Sequence, residues 1–187
     1  EEQRLKELGV KDSKLLTREE REDLFKKIII LVKDYKIISL TPDTIDESIK
    51  NSNLNILEAH TTAEILNYLK PKKAFIDLPD KNSERYQNYI KEKLEVEVNM
   101  ITEHKADYNY PCVSAASILA KVTRDRYIDF LKDKFGEDFG SGYMSDEKTQ
   151  KFLEKNWNNP KINFFRKEWA SWKNAKIQKE QKKLFDY

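Results

Sequence analysis

Three of the chain's four glycines lie within seven residues, at Gly136, Gly140 and Gly142. They directly follow residues 113–135, whose first half is rich in alanine and serine and whose apolar spacing predicts a long helix. Glycine permits close approach of a backbone because it has no Cβ. The stretch therefore predicts a closely packed helix that carries an acid near its apolar face and runs into a tight loop presenting Tyr143. Such an arrangement suits a carboxylate that holds a metal beside a sugar-phosphate chain.

Helical and strand patterns alternate along the rest of the chain. Strands are predicted at residues 35–40, 73–78 and 96–102, and helices at 17–33, 43–50, 54–69, 83–94, 113–135, 145–157 and 166–184. Thr17-Arg18-Glu19-Glu20 has the spacing of a capping box, which fixes the start of the first of these helices. Strands separated by helices favour parallel pairing with right-handed crossovers. The pattern predicts an α/β fold, with few strands for 187 residues.

Charge is distributed unevenly although the formal net charge is only +2. Residues 161–187 hold eight Lys or Arg side chains against three acids. A basic tail of this kind is explained either by a phosphate-binding patch or by a solvated helix face.

Cysteine usage and hydropathy limit the other classes of protein. Cys112 is the only cysteine, so an intrachain disulfide is excluded, and a Cys/His metal cluster is excluded because His60 and His104 are far apart in sequence. No apolar run approaches the roughly 18 residues of a membrane span, and no signal peptide is visible. We therefore expect a soluble protein that contacts no membrane and lies in the cytoplasm.

Two acids are candidates for chemistry. Asp77 ends an apolar strand, where ligand sites gather in open α/β sheets, although a carboxylate capping the turn before Pro79 explains it equally well. Asp125 lies at the edge of the apolar stripe of the long helix, and Asp129 lies nearer its centre. The helical spacing does not choose between them, and an ion pair with a neighbouring cation would explain either. Carboxylate oxygens are the ligands that Mg²⁺ prefers and Mn²⁺ accepts.

Six segments, in order and spanning nearly the whole chain, resemble ribonuclease HII, the type 2 ribonuclease H. The segments are Lys11-Asp12-Ser13-Lys14, Phe75-Ile76-Asp77, His104-Lys105-Ala106-Asp107, the helix containing Arg124-Asp125, Gly140-Ser141-Gly142-Tyr143 with Ser145-Asp146, and Arg166-Lys167 with Trp169. The last segment is most similar to the archaeal branch. An unrelated α/β nucleotide-binding protein is disfavoured because no glycine-rich phosphate loop follows a strand.

The resemblance implies a ribonuclease-H-like mixed sheet flanked by helices, with a catalytic domain at residues 1–144 and a helical substrate-binding segment at 145–187. It implies an endonuclease that cuts RNA in RNA–DNA hybrids and nicks duplex DNA at embedded ribonucleotides, in DNA replication and ribonucleotide excision repair. The reaction would be two-metal hydrolysis with Mg²⁺ or Mn²⁺, leaving 5′-phosphate and 3′-hydroxyl ends.

Residue roles also follow from the resemblance. Asp77 and Asp125 become the catalytic, metal-binding acids, and the choice of Asp125 over Asp129 rests on the family's Arg-Asp pair. Tyr143 is expected to pack on the deoxyribose beside the ribonucleotide. The other expected substrate contacts are made by Ser141, Gly142, Lys11, Ser13, Lys14 and Lys105.

One family motif is absent from the chain. The family begins with a strand carrying Asp-Glu-Ala-Gly-Arg-Gly, which supplies two of its four catalytic acids, and this sequence does not contain it. The expectation is a chain that lacks its first strand, by truncation or as one piece of a split enzyme with a separate N-terminal segment. The complete protein is expected to be a monomer. The alternative is a non-catalytic subunit that binds RNA–DNA hybrids, or an inactive fragment that needs the segment in trans.

Overall fold

Helices dominate the structure, a computed structural model that describes residues 2–51 and 54–185. Residue 1 of the predicted catalytic domain 1–144 and residues 186 and 187 of the predicted segment 145–187 lie outside this part of the chain. The helices are α1 Glu2–Glu7, α2 Arg18–Leu31, α3 Pro42–Asn51, α4 Leu54–Leu69, α5 Ser83–Lys91, α6 Ala106–Asn109, α7 Pro111–Phe135, α8 Glu147–Asn156 and α9 Ala170–Phe185. The strands are β1 Lys73–Asp77 and β2 Asn99–Glu103. The predicted α/β class is confirmed.

The first long helix begins where its capping box predicts. Thr17 Oγ1 accepts from the backbone N–H of Glu20 at 3.2 Å, and Glu20 Oε2 accepts from the backbone N–H of Thr17 at 2.6 Å. Two N–H groups that the helix itself leaves unpaired are satisfied in this way. The bond to the Thr17 backbone lowers the pKa of the Glu20 carboxyl.

The two strands pair in parallel, as predicted, with Lys73 opposite Asn99 and Asp77 opposite Glu103. Their carboxyl ends therefore lie at the same edge. The strand predicted at residues 35–40 is wrong, because this segment has no ladder partner among residues 2–51 and 54–185. Its β-rich composition instead serves packing, since Ile37 lies against a helical core cluster and Lys36 Nζ lies 4.9 Å from the Tyr68 ring centre. Apolar β-branched residues favour a half-buried position, which a strand is only one way to provide.

The chain divides into two compact units, one formed by Glu1–Ile38 with Asn55–Arg124 and the other by Ser39–Leu54 with Asp125–Tyr187. Helix α7 is continuous across the division. The predicted boundary between residues 144 and 145 divides a catalytic domain from a substrate-binding segment, whereas these two units are defined by contacts within the fold. The predicted boundary therefore stays a prediction. None of the helices in the described part of the chain is both long and apolar enough to cross a bilayer.

Each unit has its own hydrophobic core. The first unit has a helical cluster around the fully buried Ile28 and Ile118, and a second cluster around Tyr86 and Ile90 beneath the strands. The second unit has an aromatic cluster. Its buried members are Leu131, Phe139, Phe152 and Ile162, with Phe135, Phe164 and Phe165 packed against them. These cores hold α7 and the glycine-rich loop in place.

Candidate active site

The carboxyl edge of the strand pair brings two acids together. Asp77 and Glu103 are partners in the register, and side chains of paired residues project from the same face of a sheet. Asp77 is exposed, and its Oδ1 accepts from the backbone N–H of Ala106 at 3.1 Å. A carboxylate offers about four lone-pair sites, so this bond fixes the side chain without exhausting its capacity as a ligand.

The turn after β2 is shaped by this contact. Lys105, at the N-cap of α6, has φ 58° and ψ 36° and makes no side-chain cap. Asp77 caps the helix instead, from 29 residues away. His104 Nδ1 lies 3.0 Å from the carbonyl oxygen of Leu78, which ties the turn to the chain after β1. A left-handed conformation costs a non-glycine residue about 1–3 kcal/mol and tends to persist at functional sites.

Glu103 was missed by the sequence reasoning. The signal was available, because an acid that ends the second of two parallel strands obeys the same rule as Asp77. Its oxygens accept from the side-chain amide of Asn109 and from the Tyr110 hydroxyl, the latter at 2.8 Å. The bond to Glu103 raises the pKa of Tyr110, whose ring also stacks on Phe75 at 4.2 Å. Glu103 thus accepts two side-chain hydrogen bonds, whereas Asp77 accepts one bond from a backbone N–H.

The predicted phosphate-contacting loop is a short 3₁₀ turn before α2. Lys11 and Lys14 are exposed, whereas Ser13 is 5% exposed. Ser13 Oγ lies 3.3 Å from Ser117 Oγ on α7, and its carbonyl accepts from Arg21 at 3.1 Å. Ser13 therefore holds the turn against the helix, while the two lysines face solvent.

Asp125 belongs to the second unit, on α7 two turns after Ser117. Both Asp125 and Asp129 are half-buried, so burial does not distinguish them, just as the helical spacing did not. The choice of Asp125 stays a prediction.

The glycine-rich loop satisfies its own backbone. Four consecutive N–H groups, those of residues 140–143, donate to side chains within the loop and α8. The acceptors are Asp138 Oδ1, Asp146 Oδ2, Thr149 Oγ1 and Ser141 Oγ. The Tyr143 side chain is 44% exposed, so the loop presents its ring to solvent next to the 39% exposed Met144.

Gly140 is required by this bonding. Its φ is 80°, and a Cβ built on it would lie 2.8 Å from Asp146 Cγ. The carboxylate that the glycine admits also caps α8, where Asp146 Oδ1 accepts from the N–H of Lys148 at 2.9 Å. Its bond to the N–H of Ser141 is the main cause of a lowered pKa for Asp146.

The comparisons with known proteins agree with one another. A sequence profile of the ribonuclease HII family matches residues 1–175. The chain belongs to this family. Ribonuclease HII of Pyrococcus horikoshii is 49% identical over 154 residues, which cover 81% of this chain and 69% of that protein.

Solved structures of ribonuclease HII share the fold. The ribonuclease H2 of Pyrococcus horikoshii OT3 aligns with a TM-score of 0.84 at 42% identity, covering 94% of this chain and 84% of that one. The Archaeoglobus fulgidus ribonuclease HII, solved as a complex with PCNA, aligns with a TM-score of 0.77 at 41% identity, covering 87% and 77%. The ribonuclease-H-like fold and the archaeal resemblance are therefore confirmed. Ribonuclease HII enzymes are endoribonucleases that act on RNA–DNA hybrids and use divalent metals.

The residues present are compatible with such a metal. Within residues 2–51 and 54–185, no group of three or more His, Cys, Asp or Glu side chains is placed to hold an ion. Mg²⁺ is commonly bound through only one or two carboxylates, together with waters and substrate phosphates. Asp77 offers such a carboxylate, exposed and held by one backbone N–H. Its hard oxygen donors fit Mg²⁺ or Mn²⁺.

The predicted site residues fall into both units of the ribonuclease HII chain. The first unit brings Asp77 and Lys105 together at the carboxyl edge and places Lys11, Ser13 and Lys14 on the turn before α2. The second unit holds Asp125 on α7 and Ser141, Gly142 and Tyr143 in the loop.

Proposed function

We propose that this ribonuclease HII chain cleaves the RNA strand of RNA–DNA hybrids and nicks duplex DNA at embedded ribonucleotides, leaving 5′-phosphate and 3′-hydroxyl ends. The observation that carries the proposal is Asp77. It combines a fixed orientation, through the N–H of Ala106 at 3.1 Å, with an exposed carboxylate at the carboxyl edge of parallel strands. Two neighbouring acids do not share this combination, because Asp80 is buried and Glu103 is held by two side-chain donors.

Asp77 and Asp125 are the residues proposed to hold Mg²⁺ or Mn²⁺. When bound, the ions supply activation of the attacking water and charge stabilisation at the leaving oxygen. The chain's own contribution is to keep the Asp77 carboxylate at a constant angle, because Ala106 belongs to a helix that Asp77 itself caps. A preorganised ligand needs no reorganisation as the reaction proceeds.

The remaining predicted residues are proposed to bind the nucleic acid. Lys11, Lys14 and Lys105 are exposed cations suited to phosphate, and Ser13 positions the first two. Tyr143, with Ser141 and Gly142 behind it, is proposed to pack on the deoxyribose at the RNA–DNA junction. The internal bonding of the loop supports this role, since a rigid loop presents a ring at low entropic cost.

The test is a cleavage assay with the complete gene product on two labelled substrates, a continuous RNA–DNA hybrid and a DNA duplex with one ribonucleotide. We expect both to be cut with Mg²⁺ or Mn²⁺, and cutting to stop when a chelator is added. Mapping the product ends checks the chemistry, because only the proposed hydrolysis leaves a 3′-hydroxyl. A 2′,3′-cyclic phosphate would refute it, and tight binding of both duplexes without cleavage would favour a hybrid-binding subunit instead.

Three expectations from the sequence are also part of this proposal. They are a cytoplasmic location, a monomeric complete protein, and a substrate-binding role for residues 145–187. Size-exclusion chromatography with light scattering, with and without the hybrid, tests the second of these.

A further inference from the structure

The second unit contains a buried acid that no predicted role explains. Asp46 lies on α3 and is only 6% exposed. Its two oxygens accept from two consecutive backbone N–H groups, Oδ2 from Lys167 at 2.7 Å and Oδ1 from Glu168 at 3.1 Å. Burying a carboxylate is costly unless such bonds compensate for the lost water. Because both donors belong to the main chain, Asp46 fixes the backbone of residues 166–169, which we call the basic turn.

The exposed side chains of the basic turn are cationic and aromatic, unlike the buried carboxylate that holds its backbone. Lys167 is exposed, Trp169 is 37% exposed, and the Arg166 guanidinium lies 3.3 Å from the centre of the Trp169 ring. Stacking of this kind holds a guanidinium plane in one orientation. The turn therefore presents cations and an aromatic face on a backbone that cannot shift freely.

Glu168 forms ion pairs that place two further lysines beside the turn. Its Oε1 lies 3.3 Å from Lys50 Nζ on α3, and its Oε2 lies 2.7 Å from Lys173 Nζ on α9. The two lysines remain 62% and 51% exposed. One acid thus holds two cations beside the exposed Lys167, and the cluster keeps an excess of positive charge. The lysines lower the pKa of the Glu168 carboxyl, with Lys173 the larger cause.

We infer that Asp46 is a positioning residue that holds the basic turn in the geometry in which its cations contact the phosphate backbone of the hybrid. The inference rests on the proposed function. The charge of the turn is complementary to phosphate, and phosphate contacts fix the register of a protein on a duplex. Asp46 itself is too deeply buried to touch the substrate, so it acts through Lys167, whose backbone N–H it binds.

Exchange of Asp46 for Asn tests the inference by the sign of its effect. An amide keeps one acceptor but turns a donor toward a backbone N–H, so one of the two bonds is lost. If Asp46 acted only as a negative charge, its removal would strengthen phosphate binding. If it positions the turn, Asp46→Asn weakens binding, raising KM about fivefold with kcat unchanged, as for a contact made equally in ground and transition states. Asp43→Asn, an exposed acid on the same helix, is the matched control and is expected to lower KM slightly or leave it unchanged.

Salt dependence provides a measurement that a loss of stability would not alter. Binding of a labelled hybrid is followed by fluorescence anisotropy at several KCl concentrations, without divalent ions and well below the thermal midpoint of each variant. We expect Lys167→Gln to reduce the slope of log K against log salt by about 1. Asp46→Asn should reduce it similarly, and the double variant by no more than either single change, because both remove one contact. Lys91→Gln, which removes an exposed lysine at the end of α5 that is not among the proposed substrate contacts, should leave the slope unchanged.

Three results would overturn the inference. They are a KM for Asp46→Asn equal to that of Asp43→Asn, a slope for Lys167→Gln equal to that of Lys91→Gln, or additive effects in the double variant. The lysine pair decides the matter even if Asp46→Asn does not fold, since without the Lys167 contact there is nothing for Asp46 to position. A wild-type protein that cleaves hybrids while every variant matches its control would refute this inference alone. A wild-type protein that cleaves nothing would refute the proposed function.

Discussion

The carboxyl edge of β1 and β2 and the glycine-rich loop of residues 136–146 both combine acids with tight turns, and they use the acids in opposite ways. In the loop, Asp138 pairs with Lys132 at 3.0 Å and Lys148 at 2.7 Å. Asp146 caps α8 and binds the N–H of Ser141 at 2.6 Å. At the edge, Asp77 is held by one backbone bond and remains exposed.

The difference shows that the hydrogen-bond and ion-pair partners of an acid indicate whether it is structural or available to a ligand. Lys148 and Lys132 hold the pKa of Asp138 well below its usual range, so it stays charged in order to shape the loop. The loop is proposed to offer a ligand the ring of Tyr143, on a backbone that Asp138 and Asp146 hold. What the edge offers is the carboxylate itself. Metal chemistry is expected at the edge, and recognition is expected at the loop.

The largest expected effect comes from the proposed metal-binding acids. Asp77→Asn and Asp125→Asn should each lower kcat by about a thousandfold, because the loss of a ligand removes several kcal/mol of transition-state stabilisation. Binding of the hybrid should change little, since lysine contacts to phosphate persist. Single-turnover cleavage and anisotropy measure the two quantities. Asp129→Asn is the matched control on α7, and a larger loss there than in Asp125→Asn would move the metal ligand to Asp129.

A smaller effect is expected from glycines of the loop. Gly140→Ala combines a left-handed φ of 80° with a Cβ that meets the Asp146 carboxylate, so it should lower the free energy of unfolding by about 2–3 kcal/mol. Gly136→Ala has φ 65° and no described atom within 4 Å of its Cβ, so it should cost about 1 kcal/mol. Denaturant titration measures both. Equal costs would mean that the loop yields easily and that the rigidity argued for Tyr143 is wrong.

Selectivity between substrates should depend on Tyr143. Tyr143→Ala should reduce kcat/KM about tenfold more, or about 1.4 kcal/mol, on the duplex with one ribonucleotide than on the continuous hybrid, because only that duplex contains the junction that the ring is proposed to contact. The ratio of the two kcat/KM values is the measurement, with Tyr143→Phe as the control that keeps the ring. Equal losses on both substrates would reduce Tyr143 to a packing residue.

The smallest effect concerns a structural acid three residues after Asp77. Asp80 is 3% exposed and accepts from Asn55 at 3.0 Å, Asn82 at 2.9 Å and Arg85 Nε at 3.2 Å. These bonds, with Arg85 the main cause, hold its pKa well below the usual range. A lowered folded-state pKa stabilises the protein above the unfolded value, about 3.9, and that stabilisation is lost as pH falls further.

Asp80→Asn should therefore lower the thermal midpoint by a constant amount between pH 5 and pH 8, values on the order of one unit or more above that pKa. The difference from wild type should shrink below about pH 4. Thermal scans across this range test the sign. A difference that grows on acidification would show that Asp80 is not the charged member of this network, and cleavage at pH 7 should be retained in either case.

Local features of the sequence predicted much of the fold. The capping box at Thr17, the periodic segment that became α4 and the long helix α7 all depend on neighbours within a few residues. The strand predicted at residues 35–40 failed because a strand needs a partner that its own composition cannot specify. The strand predicted at residues 96–102 also begins three residues late, at Asn99, since ladder bonds rather than alternation decide its start.

The candidate site was only partly predictable, for the same reason. Asp77 was singled out because an acid that ends an apolar strand is a local signal, and the family resemblance then favoured a catalytic role, which stays a prediction. Glu103 was missed although its signal was equivalent, and Asp46 had no signal at all. Its partners, Lys167 and Glu168, lie 121 and 122 residues away.

The sequence by itself determined the family of this protein, the order of its longer helices, the glycine-rich turn and the set of acids available for chemistry. Tertiary structure decided which of these acids are taken up by internal hydrogen bonds. It paired Asp77 with Glu103, gave Asp77 the N–H of Ala106 and left its carboxylate exposed, while Asp46 and Asp80 were buried against donors. The reason is that a carboxylate's role depends on whether its oxygens are already satisfied, and the donors to Asp77 and Asp46 are distant in sequence.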